Sequence, residues 1–185
     1  MTAPLEIRWE AWNQSGVERL VLHSSQGGST IESRITVRDA ADPFQLSYTL
    51  LTDDGWQLQE ARLDVTGGPS LRLFKDGDGG WRSGSGDRID GFGGCIDIDI
   101  SATPFTNTLP IRRLDLPVGS SADVRMLFVS APALTLSPVE QRYTRVAPTR
   151  YRYHGLSTGF ETDLEVDQDG IVIDYPGLFR RIRHQ

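Results

Sequence analysis

The chain reads as mainly β: a single antiparallel sheet of about ten strands, curled into an open half-barrel with one or two short helical segments. Three observations predict this. Apolar and polar residues alternate with period 2 in run after run, at a spacing of roughly 10–15 residues. The runs are separated by turn formers, and 19 glycines and 10 prolines are spread through the chain. No 3.6-residue apolar period lasts three turns, so no long amphipathic helix is available. An apolar sheet face with so little helix to cover it would leave a concave groove, and the groove would be lined by Phe44, Tyr48, Trp56 and Tyr143.

Taken in order, Leu5–Trp12 and Val17–His23 are strands separated by Asn13-Gln14-Ser15-Gly16, a hairpin signature. Ile31, Ser33, Ile35 and Val37 then alternate with Thr30, Glu32, Arg34, Thr36 and Arg38. Phe44, Leu46, Tyr48 and Leu50 alternate with Gln45, Ser47 and Thr49, and Asp53-Asp54-Gly55 turns the chain. In the next run Trp56 and Leu58 share one parity while Ala61, Leu63 and Val65 share the other, which predicts a β-bulge near Gln59–Glu60. Leu71–Phe74 leads into a hairpin tip at Asp76–Trp81, followed by a flexible Ser83–Gly86 stretch. The later strands are Val124–Val129, Val139–Val146, Arg150–His154, Phe160–Val166 and Ile171–Tyr175, the last two joined by Asp167-Gln168-Asp169-Gly170. Tyr151 and Tyr153 share a face opposite Arg150 and Arg152, as in an edge strand with aromatics inward. Helix is expected only around Leu109–Leu116 and as a last turn at Leu178–Arg183.

The segment Gly93–Leu114 carries the most information. Cys95–Ile100 is a strand in which Ile96, Ile98 and Ile100 share one face and Cys95, Asp97 and Asp99 the other. Pairing then stops, because Pro104 and Pro110 lack amide hydrogens and the Thr/Asn-rich residues between them can bond the backbone locally. Arg112 and Arg113 follow. Adjacent side chains diverge, so at most one of the two faces a groove, where its guanidinium could hold a phosphate or carboxylate bidentately. Thr106, Asn107 and Thr108 could bond sugar hydroxyls. The structural alternatives stay open: either arginine could pair with Asp97, Asp99 or Asp115, and the two aspartates could cap the loop.

Composition bounds the function. The 185 residues suit one domain, 1–185. A net charge of −6 and a pI near 5.0 argue against nucleic acid as the main partner. No apolar stretch is long enough to span a bilayer, so stable membrane insertion is not expected. No basic and apolar leader opens the sequence, which makes a cytoplasmic location the expectation. Cys95 is the single cysteine and excludes an internal disulfide. The basic terminus Arg180, Arg181, Arg183 and His184 suits a solvated tail or a weak contact with anionic membranes. Glu165–Gly170 superficially resembles the start of a calcium loop, but it follows a strand and the bidentate position holds Pro176. Neither metal nor cofactor is expected.

The Cys-Ile-Asp-x-Asp strand, the run Thr103-Pro104-Phe105-Thr106-Asn107-Thr108-Leu109-Pro110-Ile111-Arg112-Arg113-Leu114, Ser33-Arg34-Ile35, Pro43–Tyr48 and Asp174–Phe179 together resemble the bacterial family labelled "putative glycolipid-binding". The resemblance covers nearly the whole chain. It implies a fold like the half-open β-barrels of bacterial lipoprotein carriers and a binding function, without catalytic residues. The expected function is therefore non-enzymatic binding of an amphipathic ligand, a glycolipid or fatty-acyl compound. Its acyl part would lie in the concave face and its headgroup would be read by Thr103–Leu114. The expected ligand contacts are Tyr48, Trp56, Asp97, Phe105, Asn107, Arg112, Arg113 and Tyr143. Two other classes stand beside it: a small enzyme on a sugar or lipid with Asp97 or Asp99 as general base, and a protein–protein scaffold.

Overall fold

The computed structural model describes residues 3–39 and 41–182, which form one sheet of fifteen strands. A first meander comprises β1 (Leu5–Ala11), β2 (Gly16–Ser25), β3 (Gly28–Val37), β4 (Phe44–Thr52), β5 (Leu58–Val65), β6 (Ser70–Lys75), β7 (Trp81–Ser83) and β8 (Arg88–Ile89). A second comprises β9 (Cys95–Ile100), β10 (Ser121–Ser130), β11 (Thr135–Ala147), β12 (Arg150–Gly155), β13 (Phe160–Val166), β14 (Val172–Tyr175) and β15 (Phe179–Arg181). Every neighbouring pair is antiparallel except β9 with β10, between which the chain makes a 3-10 turn, Phe105–Asn107, and the helix α1 (Thr108–Leu114). The strand count exceeds ten in part because β7, β8 and β15 are two or three residues long, too short for alternation to reveal, whereas β14 matches the strand expected at Ile171–Tyr175. β15 occupies the place where a helical turn is expected. Residues Arg183 and His184 of the basic terminus lie outside the described residues, while Arg180 and Arg181 pair with Glu10 and Asp167.

The two meanders join through β1 and β15, with Trp9 opposite Arg181 and Ala11 opposite Phe179. β8 and β9, at the two ends of the sheet, are consecutive in the chain. Laid flat, fifteen strands would span about 67 Å at the usual strand spacing. The chain from Ile89 to Cys95 can bridge at most about 22 Å. The sheet must therefore curl until its ends meet, and they do: Lys75 Nζ and Trp81 Nε1 donate to the Cys95 carbonyl at 2.6 and 2.9 Å. The ends are not laddered to each other, so the curl stays an open barrel.

Two apolar cores fill it. The first joins the inward residues of β1–β7 to Ile98, Ile100, Leu127 and Val129, and the second gathers Val124, Met126, Tyr143, Tyr151, Leu164 and Val166. The 3-10 turn and α1 lie across the sheet between them, with Phe105 and Leu109 in the first core and Ile111 in the second. Seven residues would not hold a helix alone in water, so burial holds α1 in place. Pro110 falls in its first turn, where an amide hydrogen has no intrahelical partner.

Three local expectations are settled by register. Gln59 is the extra residue of a bulge in β5, as Leu51 pairs with Glu60 and Thr52 with Leu58. β9 is not a clean alternation: Cys95 pairs with Arg125 and Asp97 with Met126, so Ile96 bulges out and is exposed while Asp97 is buried. β12 is interior, flanked by β11 and β13, not an edge. Among the described residues no helix is long and apolar enough to cross a membrane.

Candidate functional site

The groove expected on the concave face is largely occupied. Phe105, Thr106, Asn107, Thr108, Leu109, Pro110 and Ile111 are all buried, and the segment expected to read a headgroup instead plugs the half-barrel. Polar contacts lock the plug in place. Thr106 Oγ1 donates to Asp99 Oδ1 at 3.1 Å, and Gln141 Nε2 donates to Asp99 Oδ2 at 2.7 Å. Tyr143 Oη donates to Asn107 Oδ1 at 2.8 Å. Arg113 grips Asp97 with its Nε at 3.2 Å from both carboxylate oxygens and Nη2 at 2.6 Å from Oδ2. Asp97 is 0% exposed, so this is a buried, bidentate ion pair.

The eight expected ligand contacts thus separate. Asp97, Phe105, Asn107, Arg113 and Tyr143 are bound up in the plug, with Phe105 packed on Trp9 at a ring separation of 6.4 Å. Tyr48 is buried against Glu18. Trp56 and Arg112 are the two that meet at the surface, the Arg112 guanidinium lying 4.0 Å from the Trp56 ring centroid. The adjacent arginines do diverge. Asp97 and Asp99, the candidate general bases, both face protein partners, and neither lines either of the two cavities described below.

An open apolar cleft remains elsewhere. It has a volume of about 350 Å³ and lies where the ends of β1–β4 face the β14–β15 turn. Trp9, Ile35, Val37, Phe44, Leu178 and Phe179 supply its apolar walls, Ala102 and Ala131 part of its lining, and Asn13 and Ser15 a polar fringe. Glu18 is the acidic residue of its lining. It is 3% exposed and accepts three hydroxyl hydrogen bonds: Ser33 Oγ at 2.7 Å and Tyr48 Oη at 2.6 Å to Oε1, and Thr103 Oγ1 at 2.6 Å to Oε2. The sheet register builds this cluster. Leu20, Ser33 and Tyr48 lie in one cross-strand row on the inner face, and Glu18 is one inward position along β2. Thr103 ties the start of the plug to it.

Among the described residues no guanidinium or ammonium pairs with Glu18. Burial pushes its carboxyl from 4.5 up to about 7, against the pull of the three hydroxyls. Burial, followed by the charge of Glu18, also drives the Tyr48 phenol well above its usual range. A carboxyl that is close to half-protonated at neutral pH can both donate and accept at the cleft lining. Nothing in the sequence argument singles out Glu18, yet a signal is there. It shares strand parity with Leu20 and Leu22, and Ser33 shares parity with Ile31 and Ile35, so two polar residues sit on a face that is otherwise apolar.

A family model described as "Putative glycolipid-binding" matches residues 6–181. The chain belongs to that family. The same fold is seen in a crystal structure of a DUF1089 family protein from Pseudomonas aeruginosa, to which this chain is 41% identical over 91% of its own length and 92% of that chain, with a TM-score of 0.81. No curated protein matches. Membership of the glycolipid-binding family supports binding in general.

Proposed function

We propose that the protein is a non-enzymatic binding module for an amphipathic small molecule, a glycolipid or fatty-acyl compound, whose apolar part enters the cleft lined by Phe44 and Phe179. The observation that carries this is the pairing of an open apolar cavity with one ionisable group, Glu18, in its wall. Apolar walls take hydrocarbon through the hydrophobic effect, and a few convergent polar groups fix its orientation. The family description agrees with a glycolipid-type ligand. Relative to the expectation from sequence, the acyl part moves from the whole concave face to this one cleft. The Thr103–Leu114 segment acts as its inner support, with Ser101 and Ala102 just before it in the lining.

The test is native mass spectrometry of gently purified protein, followed by titration with fatty acids, lysophospholipids and glycolipids. A retained or titratable amphiphile is expected. Phe44→Arg, which places a charge in the mouth of the cleft, should abolish binding while circular dichroism stays unchanged. A clean apo mass with no binding to the whole panel would overturn the proposal, as would binding that Phe44→Arg and Val37→Asp both leave intact.

A further inference from the structure

A second cavity, of about 280 Å³, opens where the β4–β5 hairpin tip, the end of α1 and the β13–β14 turn converge. Trp56, Arg112, Tyr151, Asp167, Gln168 and Asp169 line it. It shares no lining residue with the apolar cleft. Each of the three elements is built stiffly at this point. Trp56 has φ +64, a left-handed conformation that a bulky side chain rarely adopts. Asp53 holds it there: its carbonyl accepts from the Trp56 amide at 3.2 Å, and its carboxylate accepts from the Gln57 amide and from Gln59 Nε2, each at 2.9 Å. Strain of this kind persists where surrounding structure enforces it, and such residues cluster at ligand clamps.

On the opposite wall, the Asp167 carboxylate accepts from the Asp169 and Ile171 amides, each at 3.0 Å, and from Arg181 at 2.8 Å. The turn is pressed onto α1 through Gly170, which has φ +73. A Cβ there would stand 3.0 Å from Ile111 Cγ2 and 3.3 Å from Arg112 Cγ. Between these walls lies Arg112. Unlike its neighbour Arg113, it makes no ion pair and donates no hydrogen bond among the described residues, and its guanidinium is stacked on the Trp56 ring. Burial lowers its pKa, with Asp169 and Asp167 acting the other way.

We propose that this cavity is a saccharide site that takes a neutral, polyhydroxylated ring. The chemistry favours neutrality. An anion drawn to Arg112 would meet Asp115, Asp167 and Asp169, and a cation drawn to those carboxylates would meet Arg112 and Arg145. A sugar hydroxyl satisfies both kinds of group, accepting from the free Arg112 fork and donating to Asp169 or the Gln168 amide oxygen. The part of the half-buried Trp56 indole that Arg112 leaves uncovered offers apolar surface to the C–H bonds of a pyranose. The site stands independently of the apolar cleft: either could fail while the other holds.

Titration of the full-length protein with methyl glucoside, methyl galactoside, methyl mannoside and inorganic phosphate, followed by NMR of the Arg112 and Trp56 side chains, tests this. Saturable millimolar binding of at least one glycoside is expected. Arg112→Ala and Arg112→Lys should each weaken it by about tenfold or more, the loss of one charge-assisted hydrogen bond. Trp56→Asn, which keeps a residue tolerant of the left-handed backbone, should also weaken it, and Phe44→Arg should leave it unchanged. Phosphate binding in preference to all three glycosides would overturn the proposal. So would the absence of any glycoside binding, or glycoside binding indifferent to both the Arg112 and Trp56 variants.

Discussion

Arg112 and Arg113 are adjacent in sequence, and the fold gives them opposite energetics. Arg113 compensates Asp97, a carboxylate with no solvent exposure. Arg113→Ala would leave that charge buried and unpaired, at a cost of about 3–5 kcal/mol. Arg112→Ala removes a half-exposed cation–π contact worth about 0.5–1 kcal/mol. Urea denaturation at neutral pH should separate the two variants by several kcal/mol, and equal losses would mean that the ion pair does not govern the plug. Glu18 makes the second prediction at this scale. Its folded-state pKa, about 7, lies above its ordinary 4.5, so the native state binds the proton more tightly than the unfolded chain. Its contribution is then most favourable below pH 4.5, declines as pH rises toward 7, and stays at its low value above that. The fall is on the order of 3 kcal/mol for a shift of this size. Glu18→Gln, which keeps an acceptor for Ser33 and Tyr48, should flatten that slope. Parallel stability–pH curves for wild type and Glu18→Gln would refute the assignment.

At the scale of elements, what alternation could show was legible and what the third dimension decides was not. The bulge at Gln59 could be read because it flips parity inside a long run, whereas the bulge at Ile96 could not, because three isoleucines continue the pattern straight through it. The short helix near Leu109 was placed correctly, since Pro104 and Pro110 cannot donate to a strand ladder and the Thr/Asn side chains between them can bond the backbone locally. Its burial was invisible: Thr106, Asn107 and Thr108 are polar enough to suggest solvent, and only the fold supplies Asp99 for Thr106 and Tyr143 and the Pro104 carbonyl for Asn107, while the Thr108 hydroxyl is buried without a partner among the described residues. Asn107 and Phe105, both expected to touch a ligand, lie buried in the plug. The plug's hold on the sheet can be measured. Phe105 is fully buried and packs against Trp9, so Phe105→Ala should cost about 3–5 kcal/mol, as for other large-to-small core changes. If α1 detaches as a unit, amide exchange in residues 103–114 should accelerate together. Loss confined to a few tenths of a kcal/mol would mean that the plug rests loosely on the sheet.

For the whole molecule, the curl of the sheet depends on contacts that no strand pattern encodes. Local hairpins follow from turn residues, but the pairing of β1 with β15 joins residues about 170 positions apart, and sequence periodicity says nothing about it. The meeting of the two sheet ends is equally remote from local signals. It is secured at one carbonyl, that of Cys95, which accepts from both Lys75 and Trp81 while the lysine ammonium lies 4.3 Å from the Trp81 ring centroid. Either donor alone can satisfy the carbonyl, so Lys75→Met should be mild, about 1 kcal/mol, while Trp81→Phe adds to a similar loss the cavity left by a fully buried indole. Together they leave a buried acceptor without these partners, and the double variant should lose more than the two single losses combined, by about 1–3 kcal/mol. Hydrogen exchange locates the effect. In the double variant the amides of β6–β9 should lose protection, while those of β2–β4, ladder-bonded on both sides, keep theirs. Strictly additive losses, or exchange that rises evenly across all fifteen strands, would show that core packing and not this shared carbonyl keeps the barrel's ends together.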